Sequence, residues 1–308
     1  MTTGFFSHPD CLLHEMGEGH PECPERLQAI EDQLIASRID ALIERDESAP
    51  LADDAALLRV HTQAHIDFIR NASPKEGYVA IDPDTSMNPH TLQAALRAAG
   101  AALAATDAVL AGRYENAFCS IRPPGHHAEP ARAMGFCFFN NVAVAARHAL
   151  DVHGLSRVAI IDFDVHHGNG TEAAFADDPR VLMCSFFQHP FYPFSGAEAV
   201  RPNMVNVPIA ARTKGLDVRE AIDMLWLPRL HEFKPEMVFI SAGFDAHRED
   251  DIGNLGLVED DYAWITAQVR AIAARYAQGR IVSCLEGGYN LSALGRSVVA
   301  HLRALADI

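Results

Sequence analysis

The stretch Val158-Ala-Ile-Ile-Asp-Phe-Asp-Val-His-His-Gly-Asn-Gly170 decides the fold class, because an apolar run leads directly into a cluster of ionisable residues. A short apolar run of this length is typical of a strand that is buried on both faces. Such strands occur in parallel sheets that helices cover on both sides. The ionisable residues then follow at the carboxyl end of the strand, where ligand-binding side chains gather in open parallel sheets.

Further apolar runs and helical patterns alternate along the rest of the chain. The strands are predicted at 117–121, 158–161, 181–185, 204–207, 237–242 and 281–285, and the helices at 91–110, 141–152, 218–232, 260–276 and 291–305. This alternation predicts an α/β fold with a mostly parallel central sheet flanked by helices. No repeat, low-complexity tract or linker interrupts residues 1–308, so we expect a single domain.

The charge balance bears on the choice of partner. The chain has 41 acidic and 25 basic residues, which gives a formal net charge of −16. This excess of negative charge argues against nucleic acid or an anionic membrane as a partner, and it would attract a cationic substrate. The alternative, that the charge only keeps the protein soluble, stays open.

The cysteines and the N-terminus bear on the cellular compartment. The six cysteines show no C-x-x-C spacing and lie mostly in apolar runs, as buried free thiols in a reducing compartment do. The first residues lack a basic region followed by an apolar stretch, and no run of about 18 apolar residues occurs. We therefore expect a soluble cytoplasmic protein without disulfides, and the sequence carries no signal for its oligomeric state.

Several ionisable residues at the ends of predicted strands are candidate metal ligands. In an extended segment, Asp162, Asp164 and His166 share one face. A further carboxylate, Asp245, follows shortly after another predicted strand, and buried ionisable groups need partners or a cation. Asp164, His166 and Asp245 would leave one position open for water, which is typical of a catalytic zinc site. The alternative for the D-x-D-x-H segment is a helix cap without a metal.

His126 and His127 are candidates for the acid and base that hydrolysis by a metal-activated water requires. They follow Arg122-Pro-Pro-Gly125, in which two prolines stiffen the chain and the glycine permits an uncommon turn. Tyr289 follows two glycines after the last predicted strand, where its phenol can donate a hydrogen bond to a developing oxyanion. An accidental histidine pair and an ordinary turn with a tyrosine are the alternatives.

Two aromatic-rich stretches are candidates for a substrate channel. The first, Gly135-Phe-Cys-Phe-Phe139, holds three phenylalanines, and the second lies at 186–194. They would line a narrow apolar channel for an alkyl chain that ends in an amide. Alternatively, most of these aromatic side chains belong to the core.

Together these motifs resemble the histone deacetylase-like family, which also contains acetylpolyamine amidohydrolases and bacterial acetoin-utilisation proteins. The resemblance covers nearly the whole chain and rests on the ordered motifs Gly19-His-Pro-Glu-Cys-Pro-Glu-Arg-Leu27, Arg122-Pro-Pro-Gly-His-His127, Gly135-Phe-Cys-Phe-Phe-Asn-Asn141, Asp162-Phe-Asp-Val-His-His-Gly-Asn-Gly170, Ser241-Ala-Gly-Phe-Asp245 and Leu285-Glu-Gly-Gly-Tyr289. It implies a three-layer fold like that of arginases and deacetylases. It also implies removal of the acyl group from acetyl-lysine in a protein or peptide, or from a small acylated amine.

The resemblance further implies roles for individual residues. Zinc would be bound by Asp164, His166 and Asp245, and a structural potassium ion by Asp162, Asp164, His166, Ser185 and Phe186. The acid–base pair and its supports would be His126, His127, Asp162 and Asn169, with Tyr289 at the transition state. Substrate contacts would come from Asp84, Gly135, Phe136, Tyr192, Ile252, Gly287 and Gly288. Asn169 in place of an aspartate resembles the class II branch, and a neutral neighbour leaves His127 easier to deprotonate.

Three alternatives to an acetyl-lysine deacetylase stay open. An acetylpolyamine deacetylase is disfavoured because the segment 72–89 is short and because Ile252 occupies the position of an acidic gatekeeper in polyamine-selective relatives. The others are a non-catalytic acyl-lysine binding module and an arginase-like hydrolase, whose two-metal site needs more carboxylates than these motifs supply. The chain departs from the family pattern at Phe191-Tyr-Pro-Phe-Ser-Gly196, where a glycine more often follows the proline.

Overall fold

A parallel sheet of eight strands runs through the centre of the protein in the computed structural model, which describes residues 2–198 and 201–308. The described strands, which include two outside this sheet, are in chain order β1 (Thr3–Phe6), β2 (Ile43–Asp46), β3 (Val79–Ala80), β4 (Ser86–Met87), β5 (Asn116–Cys119), β6 (Val158–Asp162), β7 (Val181–Gln188), β8 (Met204–Ile209), β9 (Met237–Ala242) and β10 (Ile281–Leu285). Neighbours in the sheet follow the order β2-β1-β5-β10-β9-β6-β7-β8, and adjacent strands are parallel. β3 and β4 form a separate antiparallel hairpin.

Helices flank this sheet in two groups. The α-helices are, in chain order, α1 (Glu25–Ser37), α2 (Asp54–Leu57), α3 (Gln63–Ala72), α4 (Thr91–Leu110), α5 (Asn141–Asp151), α6 (Asn169–Phe175), α7 (Gly215–Ala221), α8 (Leu227–Phe233), α9 (Glu259–Tyr276) and α10 (Leu291–Ala306). α1, α9 and α10 pack together, while α4 packs against α5. None of the described helices is long and apolar enough to cross a membrane.

The predicted α/β class with a mostly parallel sheet is confirmed, and each predicted strand and helix has a counterpart in the structure. β9 and β10 have the predicted bounds, whereas β5 spans 116–119 rather than 117–121. The helix predicted at 218–232 contains a π-helical turn at Ile222–Trp226 between α7 and α8. β2 lies outside the predicted elements because it is an edge strand whose central residues, Glu44 and Arg45, face solvent.

The order of the central strands brings the polar motifs together. The loops that hold His126, Asp164, Asp245 and Tyr289 follow β5, β6, β9 and β10 in the sequence. These four strands are neighbours in the order β5-β10-β9-β6. Because the carboxyl ends of parallel strands lie at one edge of a sheet, the four loops meet there.

The buried carboxylate of Glu22 joins the N-terminal motif to this edge of the sheet. Nη2 of Arg122 lies 2.6 Å from Oε2 of Glu22, and Nη1 of Arg26 lies 3.1 Å from Oε1 of Glu22. Nε2 of His14 is 3.2 Å from Oε2. Burial by itself would raise the pKa of Glu22, but Arg122 and then His14 outweigh burial and hold this pKa well below 4.5.

We predict that Glu22→Gln lowers the free energy of unfolding by about 3–5 kcal/mol, because it leaves two buried arginines without their counter-charge. Since the pKa of Glu22 is lower in the folded state than in the unfolded chain, its contribution is present above about pH 4.5 and is lost as the pH falls below that value. Urea denaturation at several pH values measures both effects. The exposed Glu25→Gln is the matched control, and an equal loss in both variants would contradict the prediction.

Candidate active site

Three side chains at the carboxyl edge of the sheet form a buried group of possible metal ligands. The ligand atoms of Asp164, His166 and Asp245 all lie within 4.8 Å of one another. Nδ1 of His166 is 2.9 Å from Oδ1 of Asp164 and 3.2 Å from Oδ2 of Asp245. Asp164 and His166 lie in the loop after β6, and Asp245 lies in the loop after the neighbouring strand β9. Strand order therefore assembles this group from two distant parts of the sequence.

The loop after β6 reaches this arrangement by turns rather than by strand alternation. β6 ends at Asp162, so the segment beyond it does not have the extended conformation expected from the sequence. Oδ1 of Asp162 accepts from the backbone N–H of Asp164 (3.1 Å), and Oδ1 of Asp164 accepts from that of His166 (2.8 Å). Aspartate side chains stabilise turns in this way, by bonding to the backbone two residues further on.

The donor set is suited to a divalent metal ion. Oδ2 of Asp245 is buried and has no partner with hydrogen-bond geometry among the described residues. Burial and then the carboxylate of Asp164 raise the pKa of Asp245 to about 7. A cation bound between these groups would relieve the burial of like charges. Two carboxylates and one imidazole accept zinc, and iron(II) or cobalt(II) can bind to the same donors.

His126 and His127 lie side by side next to the metal-ligand group, with ring centres 4.0 Å apart. Nδ1 of His126 is 3.0 Å from Oδ2 of Asp162, and its Nε2 is 3.8 Å from Oδ1 of Asp164. Nδ1 of His127 is 2.8 Å from Oδ1 of Asn169. Each Nδ1 therefore faces an oxygen acceptor, which leaves each Nε2 for proton exchange.

Glu129 determines which nitrogen of His127 carries the proton. The side-chain N–H of Asn169 donates to Oε1 of Glu129 (2.7 Å), so Oδ1 of Asn169 faces His127. Nδ1 of His127 must then be the donor, and Nε2 has no proton in the neutral ring. Glu129 is not among the residues identified from the sequence, because an acidic residue two positions after a histidine pair is not a distinctive signal.

The two imidazoles have opposite electrostatic surroundings. Burial disfavours the charged form of His126, but the carboxylates of Asp164 and Asp162 outweigh burial and raise the pKa of His126 well above 6.5. Burial and then the neighbouring His126 lower the pKa of His127 well below 6.5. These surroundings favour the proton on His126 over His127, and unlike environments of this kind separate an acid from a base.

Glu286 holds the loop that carries the histidine pair. Its Oε2 accepts from the backbone N–H groups of Gly125 (2.6 Å) and His126 (3.0 Å), and its Oε1 accepts from the hydroxyl of Ser241 (3.2 Å). A Cβ at Gly125 would lie 2.5 Å from the backbone nitrogen of Asn141, so a larger residue does not fit there. In the sequence Glu286 stands out only as the first residue of a Glu-Gly-Gly-Tyr motif, and its contacts identify it as a positioning residue.

Tyr289 lies between an aromatic ring and a buried arginine. Its ring centre is 5.9 Å from that of Phe136 and 4.9 Å from the guanidinium carbon of Arg26. Oδ2 of Asp250 accepts from the backbone N–H groups of Tyr289 (2.6 Å) and Asn290 (2.9 Å). Burial raises the pKa of the phenol well above 10, although Arg26 offsets part of this effect. The phenol therefore keeps its proton near neutral pH and can donate a hydrogen bond.

Gly135 and Tyr192 lie against the ring of His127. The ring centre of Tyr192 is 5.2 Å from that of His127 and 6.0 Å from that of His166. Gly135 has a φ of +56°, and a Cβ there would lie 2.5 Å from the His127 ring and 3.0 Å from the Tyr192 hydroxyl. Phe191 stacks on His166 at 5.4 Å. Aromatic rings thus surround the histidines on this side, and the glycine avoids a clash with them.

The two glycines before Tyr289 contact the metal-ligand group and α1. The backbone N–H of Gly287 donates to Oδ2 of Asp164 (2.9 Å), and a Cβ at Gly287 would lie 2.0 Å from Oδ2 of Asp245. The carbonyl of Gly288 accepts from Nε of Arg26 (2.6 Å). Close packing on the carboxylates therefore requires glycine at position 287.

Asp84 and Ile252 lie further out, each connected to the site through one residue. The carboxylate of the exposed Asp84 accepts from the hydroxyl of Thr85 (2.9 Å), whose oxygen accepts from the backbone N–H of Phe136 (2.9 Å). The backbone N–H of the half-buried Ile252 donates to Oδ1 of Asp250 (3.0 Å). The other oxygen of Asp250 binds the backbone after the two glycines, so this carboxylate connects two loops.

Ser185 and Phe186 lie beside the loop after β6. Both are buried residues of β7, and Ser185 is the register partner of Asp162. The residues that the resemblance assigns to a potassium ion are therefore neighbours in space.

The sequence matches the family described as the histone deacetylase domain over residues 20–305. The chain belongs to the histone deacetylase family. Members of this family are hydrolases that act on acetylated amines and are generally zinc-dependent, which agrees with the buried ligand group of the structure.

Two relatives and one solved structure illustrate this membership. The chain is 38% identical over 312 residues to the histone deacetylase-like amidohydrolase of Pseudomonas aeruginosa. This alignment covers 94% of the chain and 82% of the relative. The chain is 39% identical over 328 residues to the mouse polyamine deacetylase HDAC10, covering 99% of this chain and 48% of the relative. The crystal structure of the HDA15 HD domain aligns with a TM-score of 0.93 and 34% identity over 99% of this chain and 90% of that one. The relatives of this chain thus include proteins named as a histone deacetylase-like amidohydrolase and as a polyamine deacetylase.

We predict that Asn169→Asp raises the pKa of His127 by about one unit or more, because a carboxylate replaces a neutral amide oxygen 2.8 Å from Nδ1. The titration of the His127 imidazole, followed by NMR, measures this shift. Asn169→Ser removes the amide without adding charge and is the control. An unchanged His127 titration in Asn169→Asp would contradict the electrostatic role given to position 169.

Proposed function

We propose that residues 1–308 form one cytoplasmic, zinc-dependent catalytic domain that hydrolyses the acyl amide of Nε-acetyl-lysine in proteins or peptides. The observation that carries the proposal is the buried group of Asp164, His166 and Asp245, whose ligand atoms lie within 4.8 Å of one another beside the histidine pair. Three protein ligands would leave a coordination position for water or substrate, as in catalytic zinc sites.

In this proposal Asp164, His166 and Asp245 hold the zinc ion. Zinc supplies Lewis acidity, which polarises the amide carbonyl and makes a water molecule more acidic. Asp162, Asp164, His166, Ser185 and Phe186 hold a structural potassium ion beside it. The orphaned oxygen of Asp245 and the register pairing of Asp162 with Ser185 support these assignments.

The histidine pair moves the protons in the proposed reaction. The neutral imidazole of the pair, His127, takes a proton from the attacking water at Nε2. His127 then gives a proton to the departing amine nitrogen as the C–N bond breaks, which releases the free carboxylic acid and the amine. Asp162 and Asn169 hold the two rings by their Nδ1 atoms throughout. A low pKa of His127 favours this role, because an imidazolium with a low pKa releases its proton readily.

Tyr289 stabilises the oxygen of the former carbonyl as negative charge develops on it. Its protonated phenol donates a hydrogen bond to that oxygen, and such a bond lowers the barrier only when the donor is held in place beforehand. The contacts of Asp250 with the backbone at Tyr289, together with Arg26 beside the ring, support this placement.

The remaining residues bind the substrate chain in this proposal. Gly135, Phe136 and Tyr192 line the channel for the alkyl part of the side chain, with Gly287 and Gly288 at its inner end. Asp84 and Ile252 lie at the rim, where Asp84 binds the substrate backbone or a cationic amine.

An acetylpolyamine is the alternative substrate, and one surface feature favours it. A groove of about 540 Å³ beside His20 and Tyr78 is lined by the exposed carboxylates of Glu15, Glu18 and Glu25. The ring of His20 contacts Phe136 at 4.7 Å, so this acidic groove adjoins the proposed channel. The mouse relative is named a polyamine deacetylase, but here the apolar Ile252 provides no carboxylate for a second cationic amine.

A non-catalytic acyl-lysine binding module is the alternative from another functional class. Such a module needs neither a metal-ligand group nor a histidine pair with opposite pKa shifts. Because both features are present together with Tyr289, we favour the enzyme.

We predict that the purified protein releases acetate from an acetyl-lysine peptide, that a chelator abolishes this activity, and that added zinc restores it. The loss is expected because the proposed zinc ion would supply the Lewis acidity that activates both the water and the amide carbonyl. Parallel assays with N-acetylputrescine test the alternative. Turnover of N-acetylputrescine but not of the peptide would show that the substrate is an acetylpolyamine and not acetyl-lysine. Specific binding of the peptide without turnover, whichever metal is added, would favour the binding module.

We predict that Tyr289→Phe lowers kcat by on the order of a hundredfold, because it removes one hydrogen-bond donor to the developing oxyanion. The steady-state kinetics of the peptide substrate measure the effect, and KM should change much less. Tyr276→Phe removes a hydroxyl that bonds His231 on another part of the surface and is the matched control. Full activity of Tyr289→Phe would remove Tyr289 from the mechanism.

A further inference from the structure

A second group of possible metal ligands lies on the surface, separate from the active site. It consists of Asp107 in α4, His148 in the last turn of α5, and His153 just after α5. Nε2 of His148 and Nε2 of His153 each lie 2.7 Å from Oδ1 of Asp107. The ligand atoms of all three residues lie within 4.8 Å of one another.

The backbone after α5 holds the two imidazoles near each other. Gly154 has a φ of +72°, which lets the chain turn back at the end of the helix. The backbone N–H of His153 donates to the carbonyl of His148 (3.3 Å), and that of Leu155 donates to the carbonyl of Ala149 (3.1 Å). Main-chain hydrogen bonds therefore hold the backbone segments of the two histidines close together.

This group lies far from the histidine pair of the active site. α5 begins at Asn141, whose backbone nitrogen is next to Gly125 in the loop of the histidine pair. The 11 residues of α5 extend roughly 16 Å at about 1.5 Å per residue. His148 and His153 are at the other end of this helix, so ligands bound there do not reach the proposed channel.

We propose that Asp107, His148 and His153 bind a divalent cation of the kind that prefers imidazole nitrogen, such as Zn²⁺, Ni²⁺ or Cu²⁺. Two imidazoles and one carboxylate suit these ions, whereas Mg²⁺ and Ca²⁺ require oxygen ligands. The side chains of His148, His153 and Asp107 are 14%, 32% and 55% exposed, so an ion has access from solvent. The three ligands leave room for water at the remaining coordination positions.

Bound metal would connect α4 to the end of α5. Hydrogen bonds from two histidines to one carboxylate oxygen at the surface are weak and are screened by salt. A metal ion that binds the folded arrangement, and not the unfolded chain, shifts the folding equilibrium in proportion to its occupancy. The site therefore acts on thermal stability and leaves the chemistry of the active site unchanged.

Calorimetric titration of the full chain with Zn²⁺ tests this proposal. We expect the wild-type protein to bind two equivalents of Zn²⁺. Each of the variants His153→Gln and Asp107→Asn should bind only one. His231→Gln, which removes an exposed histidine elsewhere, should still bind two. Zinc bound at Asp107, His148 and His153 should also raise the melting temperature of the wild type and of His231→Gln. The two site variants should lack this part of the increase.

A further variant distinguishes this site from the active-site metal. Asp245→Asn should lose the other equivalent and keep the one at Asp107, so failure of the proposed zinc enzyme leaves this test intact. Circular dichroism spectra equal to those of the wild type would show that the variants are folded. A wild-type protein whose zinc stoichiometry is unchanged by both His153→Gln and Asp107→Asn would overturn the proposal.

Discussion

The burial of several carboxylates at one edge of the sheet is the constraint on which the rest of the structure depends. Asp162, Asp164, Asp245 and Glu286 are all buried there. A charge that is removed from water without a partner is unfavourable, so these groups are surrounded by imidazoles and backbone N–H groups. Among the described residues, Oδ2 of Asp245 has no partner with hydrogen-bond geometry, although Nδ1 of His166 lies 3.2 Å away. The donor set can accommodate a cation at this place.

Strand order turns separate motifs into one site. β5, β10, β9 and β6 are neighbours, although they are far apart along the chain and in a different order there. The helices between them provide the crossover connections that parallel strands require. The loops at the carboxyl edge therefore converge without any direct sequence relation, and the protein needs only short motifs at the strand ends to assemble the histidine pair and the ligand group.

A further set of residues holds the groups that would react. Glu286 binds the backbone before His126, Asp250 binds the backbone at Tyr289, and Glu129 orients Asn169. These carboxylates act through backbone atoms or through another side chain, and they determine ring orientation and tautomer rather than chemistry. The surface group at Asp107 is built differently, because its possible ligands come from the ends of two helices.

The sequence by itself determined the α/β class, the bounds of β9 and β10, and the motifs that contain His126, Asp164 and Tyr289, because apolar periodicity and motif spacing are local properties of the chain. Only the tertiary structure decided which strands are neighbours, and that the loop after β6 turns instead of extending. It also revealed the roles of Glu129 and Glu286. These features depend on contacts between residues that are distant in sequence, and a common residue type such as glutamate carries no local signal that marks such a contact.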